Sequence, residues 1–248
     1  MDNDAKRLSF FLTPTHECSY LPEREARTVF ADPAAEPDAR TQTALAAHGF
    51  RRSGRYIYRP SCPGCRACVP VRVPVTEFRP SRSQRRTRKR NADLQVTPRP
   101  AAFDAEHFAL YNRYQQARHP EGQMLARSEN QYLEFLTSPW ADTRFYEMRT
   151  PAGKLLAVAV VDRLAHALSA IYTFYDPGLP QRSLGSFAIL WQIGEAARLG
   201  LSWVYLGYWI AESPKMRYKM QYRPLEAFQD GVWQRLEHQT QRRRLRYA

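Results

Sequence analysis

Four groups of residues have the types and spacing to do chemistry. Three of the four cysteines, Cys62, Cys65 and Cys68, stand in CPGCRAC with two residues between neighbours. That spacing can gather thiolates around one tetrahedral centre and suits zinc or an iron–sulfur cluster. The fourth ligand would be Cys18, with His16 competing for the place; the alternative is four reduced, unmetallated thiols. A second group is the cationic run in SRSQRRTRKRN (81–91): Arg82, Arg85, Arg86, Arg88, Lys89 and Arg90. On a helix capped by Ser81 or Ser83 these cations surround most of the circumference, so either they form a solvated linker or they meet an anion. Phosphate contact is the better reading, and QRRRLR (241–246) offers a second basic surface. Third, YLGYWIAESPKMRYKMQYRP (205–224) interleaves Tyr205, Tyr208, Trp209, Tyr218 and Tyr222 with Lys215, Arg217 and Lys219. It is either an anion-binding patch or a core strand with cations outside. Fourth, Asp176 closes YTFYDP (172–177) behind Tyr172 and Tyr175, as a carboxylate at a strand end or as a simple Asp-Pro turn.

Periodicity and punctuation give the elements that must hold these groups. ADPAAEPDARTQ (31–42) reads as a loop leading into a helix through Leu45 that Gly49 ends. RSGRYIYRP (52–60) has strand character, and VPVRVPV (69–75) is a second strand whose prolines place it at a sheet edge. TPRPAAFD (97–104) reads as a hinge. The expected division is therefore 1–96, a smaller N-terminal domain with the cysteines and basic run, and 97–248. The latter opens with a helix over 104–118 capped by Asp104, then a helix over 128–137 capped by Ser128. Strands follow at 155–164 and 167–177, then an apolar helix over 183–200 and an aromatic strand over 201–210. The fold class is α/β (α+β), and the β-β-α-β order resembles an acetyltransferase-like (GNAT-type) domain.

Composition narrows the function. The chain has 248 residues, with Lys+Arg at 37 and Asp+Glu at 24, a formal charge of +13. Such an excess points to nucleic acid as a partner. Hydrophobic residues at 44% and aromatics at 12% describe a folded protein, not a disordered tail. No apolar run approaches the roughly 20 residues of a membrane span, and no secretory signal opens the chain, so a cytoplasmic protein without disulfides is expected.

The segment 205–224 also resembles the signature of the arginyl-tRNA–protein transferase family, in which a Tyr-x-Gly-Tyr strand end leads into Pro-Lys-Met-Arg-Tyr-Lys. CSYLPEREAR (18–27), FRRSGRYIYRP (50–60), YTFYDP (172–177) and SLGS (183–186) are similar to the same family in the same order. The shorter bacterial branch, the aspartate/glutamate leucyltransferases, is the nearest in CSYLP, CPGCRAC, SRSQRR and ARHPEGQM (117–124). Larger eukaryotic members carry cysteines where this chain has Leu21 and Ser213, so their metal or redox site does not transfer.

The resemblance implies leucyl transfer from leucyl-tRNA to proteins with N-terminal Asp or Glu, which marks them for degradation in the N-degron pathway. Under it, the six cations of 82–90 hold tRNA, and no cofactor is required for catalysis. Asp176 would orient the acceptor amine and take its proton. Tyr172, Tyr175 and Tyr208 would donate to the developing oxyanion or position the 3′ adenosine. Arg217, then Lys215, Lys219 and Arg52, would meet the acceptor's acidic side chain. Phe174, Phe187 and Trp191 are candidates for a leucyl pocket, or plain core. Three rivals stand beside this reading: arginine as donor, an acetyl-CoA-dependent acetyltransferase, and a metal-stapled RNA-binding protein without catalysis. In the acetyltransferase case, Phe187 would obstruct the Arg182–Ser186 loop where pyrophosphate needs a small residue.

Overall fold

Three sheets and five α-helices carry the residues that the computed structural model describes, 8–118 and 125–236. The first half contains β1 (Phe10–Leu12), β2 (His16–Glu17), β3 (Glu25–Ala26), β4 (Thr28–Ala31), α1 (Ala39–Ala47), β5 (Arg51–Ser53), β6 (Tyr56–Pro60), β7 (Val69–Pro74) and α2 (Arg82–Arg90). Then come β8 (Gln95–Pro100), α3 (Ala105–Arg118), α4 (Glu129–Leu136), β9 (Thr143–Arg149), β10 (Leu155–Arg163), β11 (Ala167–Tyr175), α5 (Leu184–Arg198), β12 (Trp203–Trp209), β13 (Glu226–Gln229) and β14 (Val232–Arg235). The fold is mixed α/β around an eight-stranded sheet of order β14-β13-β7-β12-β11-β10-β9-β8. A four-stranded sheet, β1-β4-β6-β5, and the ribbon β2-β3 stand beside it.

The caps behave as the side chains dictate. Asp104 Oδ1 accepts from the backbone N–H groups of Glu106 and His107, and Ser128 Oγ accepts from Gln131. β10 is apolar at every position from Leu155 to Val161 because helices cover both faces of the sheet. Ala157, Ala159 and Val161 pack with Ala188, Leu190 and Ile193 of α5. Val158 and Val160 pack with Leu110 and Tyr111 of α3 and with Tyr132 and Leu136 of α4. Each Val, Leu or Ile among them contributes roughly 1.5–3 kcal/mol when fully buried.

Several sequence expectations are corrected here. Residues 52–60 are not one strand but part of a hairpin turned at Gly54, with Arg52 paired to Ile57. β7 is interior, not an edge. β13 pairs with it only at Val71 and Arg72, so neither Pro70 nor Pro74 is called on in that ladder. The expected hinge at 97–104 is largely β8, an edge strand that tolerates Pro98 and Pro100. The division at 96/97 thus falls inside a strand, and the large sheet draws β7 from the first part of the chain.

Candidate active site

The sheet opens where two parallel strands part. β11 and β12 pair only at Ala167–Ser169 with Trp203–Tyr205, and beyond that they diverge. α5 connects them, as the long crossover between parallel strands usually is a helix. A bulge between Val160 and Val161 leaves Ile171 without a partner on β10, and Ile171, Tyr172 and Phe174 all pack into the α3–α4 layer. Tyr172 and Tyr175 therefore meet α3. The Tyr114 ring lies 4.8 Å from that of Tyr175 and 6.3 Å from that of Tyr172. Gln115 Nε2 donates to the Tyr172 hydroxyl at 3.0 Å, and Arg118 donates to the Tyr175 hydroxyl at 2.6 Å. Burial pushes the Tyr114 and Tyr172 hydroxyls above the usual phenol range, so both stay protonated donors.

The aromatic-cationic segment follows β12. Lys219, in the 3₁₀ turn Arg217–Gln221, is buried, and its Nζ donates to the Tyr208 carbonyl at 2.5 Å. Burial, with the Arg51 charge acting the same way, lowers its pKa to about 7. Tyr218 keeps 41% of its surface exposed, yet burial around its hydroxyl raises its pKa, with the Arg51 charge opposing and Tyr175 adding to the rise. The turn thus bridges the two diverging strands. Lys215 and Arg217 are exposed and make no ion pair among the described residues.

Three of the expected site residues are committed to other contacts. Arg52 is 5% exposed, with Nε 2.5 Å and Nη2 2.7 Å from the Asp162 carboxylate. It holds β5 to β10 and cannot reach an acceptor. The Tyr208 hydroxyl donates toward the carbonyls of Gly49 and Tyr58 at 3.2 and 3.0 Å, so it is a buried tie, not an oxyanion donor. Lys219 commits its ammonium to the end of β12, so it is no mobile partner for an incoming carboxylate. Asp176 directly follows β11, and Oδ1 accepts from Gly178 N–H at 2.9 Å while Oδ2 lies 3.4 Å from Lys154 Nζ. Phe174 and Phe187 lie in different layers of the sheet, so the leucyl pocket expected from them with Trp191 does not form as one wall.

The basic run is a docked helix, not a linker. Ser81 and Gln84 form a capping box, and Gln84 Nε2 donates to the Gln221 carbonyl at 2.9 Å. At the other end Asn91 Nδ2 donates to the Arg182 carbonyl at 2.8 Å, and Arg90 donates to the Gln181 carbonyl. α2 is therefore braced on the segments that flank the strand opening. Arg82, Arg85, Arg86, Arg88, Lys89 and Arg90 are all exposed and form no ion pair among the described residues. The second basic stretch, 241–246, and most of ARHPEGQM lie outside the described residues.

The thiols share one neighbourhood. Burial, with Cys18, Cys62 and Cys65 nearby, pushes the Cys68 thiol up to about 12. The four sulfurs do not close to a coordination sphere: among the described residues the one set of donors all within 4.8 Å of one another is Asp104, His107 and Glu147. That set is already satisfied as an ion-pair cluster, with Glu147 accepting from His107, Arg99 and Arg149. A separate surface cavity of about 520 Å³, lined by Arg99, Arg144, Tyr146 and Trp191 among others, lies toward the C-terminal end of α5.

Family models match both parts of the chain: "Arginine-tRNA-protein transferase, N terminus" over residues 16–86, and the C terminus of the same over 106–229. The chain belongs to this family. A protein of Pseudomonas fluorescens (strain Pf0-1) named aspartate/glutamate leucyltransferase is 53% identical across 92% of this chain and 96% of its own length. The protein of that name from Alcanivorax borkumensis is also 53% identical, covering 93% of this chain and 95% of its own. The solved structure of FemX overlays with a TM-score of 0.48 at 8% identity, covering 87% of this chain and 84% of FemX. In this family member, sequence reasoning missed Arg51, Tyr114 and Arg118 at the opening. Tyr114 carried a signal, since it shares a helix face with Phe108 and Tyr111 in 104–118.

Proposed function

We propose that this chain is an aminoacyl-tRNA–protein transferase that moves leucine from leucyl-tRNA onto the α-amine of proteins beginning with Asp or Glu. The observation that carries the proposal is 53% identity to an aspartate/glutamate leucyltransferase along nearly the full length of both chains. In the reaction the acceptor nitrogen attacks the ester carbonyl, a C–N bond forms, the C–O bond to the terminal ribose breaks, and the ribose oxygen leaves with a proton. No electron changes hands, and the ester is already activated, so positioning supplies much of the rate.

The opening between β11 and β12 is the site we assign to this chemistry, in an acetyltransferase-like arrangement of β10, β11, α5 and β12. Tyr114, Tyr172 and Tyr175 supply ring faces for the 3′ adenosine and hydroxyl donors for the oxyanion. Asp176 takes the amine proton, with Gly178 N–H fixing one carboxylate oxygen. α2, beside the opening, holds the acceptor stem through its phosphates. At α5, a Cβ at Gly185 would stand 3.0 Å from the Tyr175 ring, so that ring covers the helix start where an acetyl-CoA enzyme seats pyrophosphate.

Cys18, Cys62, Cys65 and Cys68 are the residue types of a structural zinc or iron–sulfur centre, a reading supported by the two-residue spacings of Cys62, Cys65 and Cys68; their sulfurs would have to draw closer together to hold one ion. Metal analysis of wild type and C68S tests it; equal, negligible metal in both removes the centre. No helix among the described residues is long and apolar enough to cross a membrane. The compartment that fits a tRNA-dependent reaction is the cytoplasm.

The test is transfer of labelled leucine or arginine from charged tRNA to peptides starting with Asp, Glu or Ala. Leucine on the Asp and Glu peptides and none on Ala is the expected pattern. No transfer to acidic peptides ends the proposal.

A further inference from the structure

Most inward-facing arginines here have a carboxylate of their own. Arg52 holds Asp162, and Arg72 Nε lies 2.6 Å from Glu226. Arg51, like Arg27, forms no ion pair among the described residues and has a buried nitrogen without a partner, and of the two it is Arg51 that meets the strand opening. Its Nη2 donates to the Ala170 carbonyl at 2.8 Å, at the first position past the paired stretch of β11. Its Nη1 is shielded from solvent and has no acceptor. On the other side the guanidinium lies against Gly207 of β12. A Cβ there would stand 2.7 Å from Arg51 Cζ and 2.9 Å from both Nε and Nη1. Gly207 has φ 79, so the backbone favours glycine twice over, by conformation and by close approach. Arg51 therefore sits in the fork of the diverging strands.

The groups that feel the Arg51 charge are Tyr20, Tyr58, Tyr208, Tyr218 and Lys219, with the Cys68 thiol acting on most of them, and no carboxylate appears among these neighbours. A guanidinium with one unmet N–H in such surroundings is costly unless a ligand brings the counter-charge. The ligand must be a small anion presented end-on, since the fork opens only beyond three paired positions of two adjacent strands. A carboxylate on a chain's first residue has that shape; a phosphodiester, flanked by two sugars, does not.

We propose that Arg51 reads the acidic side chain of the acceptor, its guanidinium donating to the carboxylate of the N-terminal Asp or Glu at the mouth of the β11–β12 fork. The assignment rests on the leucyl-transfer reading. Gly207 keeps the space that lets the guanidinium lie there, and Ala170 fixes its plane.

The experiment compares wild type, R51Q, R51K and G207A against peptides that begin with Asp or with its neutral isostere Asn. It uses both leucyl transfer and direct calorimetric binding without tRNA, with thermal unfolding as the control for folding. R51Q is expected to weaken Asp-peptide binding and raise its KM roughly 10- to 100-fold, the range for a charge-assisted hydrogen bond. The Asn peptide and the KM for leucyl-tRNA should barely move, so preference for Asp over Asn collapses. R51K should keep part of that preference, because a point charge replaces a fork; G207A should lose it by displacing Arg51. Equal losses for Asp and Asn peptides, or a rise confined to the KM for leucyl-tRNA, would overturn the assignment. If R51Q does not fold, the Asp-over-Asn ratio of R51K decides. Wild type that binds Asp peptides through Arg51 yet transfers no leucine would overturn the transferase reading and leave the recognition role standing.

Discussion

Arg51 and Arg52 are consecutive on β5, yet their guanidinium groups lie on opposite faces of the strand, one against Gly207 and the other on Asp162. Side chains alternate across a strand, so the hairpin register decides which arginine faces the fork. Arg52 Nε and Nη2 bond the two Asp162 oxygens, and Thr143 Oγ1 and Gln42 Nε2 complete the shell. Removing one partner strands the other charge in the interior. R52A and D162A should each lose about 3–5 kcal/mol, read from urea unfolding. A loss below about 1 kcal/mol in both would show that the pair does not hold β5 in place.

Glu147 makes stability depend on acid. Its carboxyl is held down to about 2, by Arg149 first and then by His107 and Arg99, against the cost of burial. Because the folded value lies below the unfolded one, the stabilisation is complete above roughly pH 4.3 and drains away as pH falls toward 2. The stability gap between wild type and E147Q, measured by urea titration, should therefore be widest near pH 6 and shrink steadily below pH 4. A gap that stays constant over that range would remove Glu147 as the source.

Local signals in the sequence place most of the C-terminal elements. Asp104 and Ser128 start helices because each side chain has an N–H to accept from, and β10 reads as buried because its apolar run is unbroken. Long-range pairing leaves no such local signal. β7 carries two prolines and looks like an edge, but β12 and β13 close on it from 129 or more residues away. For the same reason the sequence points to Arg52 in place of Arg51, since alternation tells that neighbours differ and not which one faces outward. Tyr208 and Lys219 have the right chemistry for a site, and their burial follows only from where β12 and the 3₁₀ turn pack.

The cations of α2 should set the salt dependence of tRNA binding. The triple variant R85A/R86A/K89A changes exposed residues on a helix whose Gln84–Thr87 face does the packing, so it should fold normally. Each phosphate deprived of its cation lowers the slope of log K against log salt by about one. A slope unchanged from wild type would take α2 out of the interface.

Asp176 can be tested without disturbing its turn. An asparagine oxygen still accepts from Gly178 N–H, so D176N removes the charge and keeps the geometry. Loss of proton acceptance should lower kcat by roughly 100-fold or more, with peptide KM little changed. Wild-type turnover in D176N would leave the proton to another group.

The site assignment itself meets its sharpest test in photocrosslinking from tRNA carrying 8-azidoadenosine at its 3′ end. The account predicts attachment within residues 172–176, at the end of β11, or 214–222, around the turn that bridges the fork. Attachment confined to the cavity beside Arg99, Arg144 and Trp191 would contradict it.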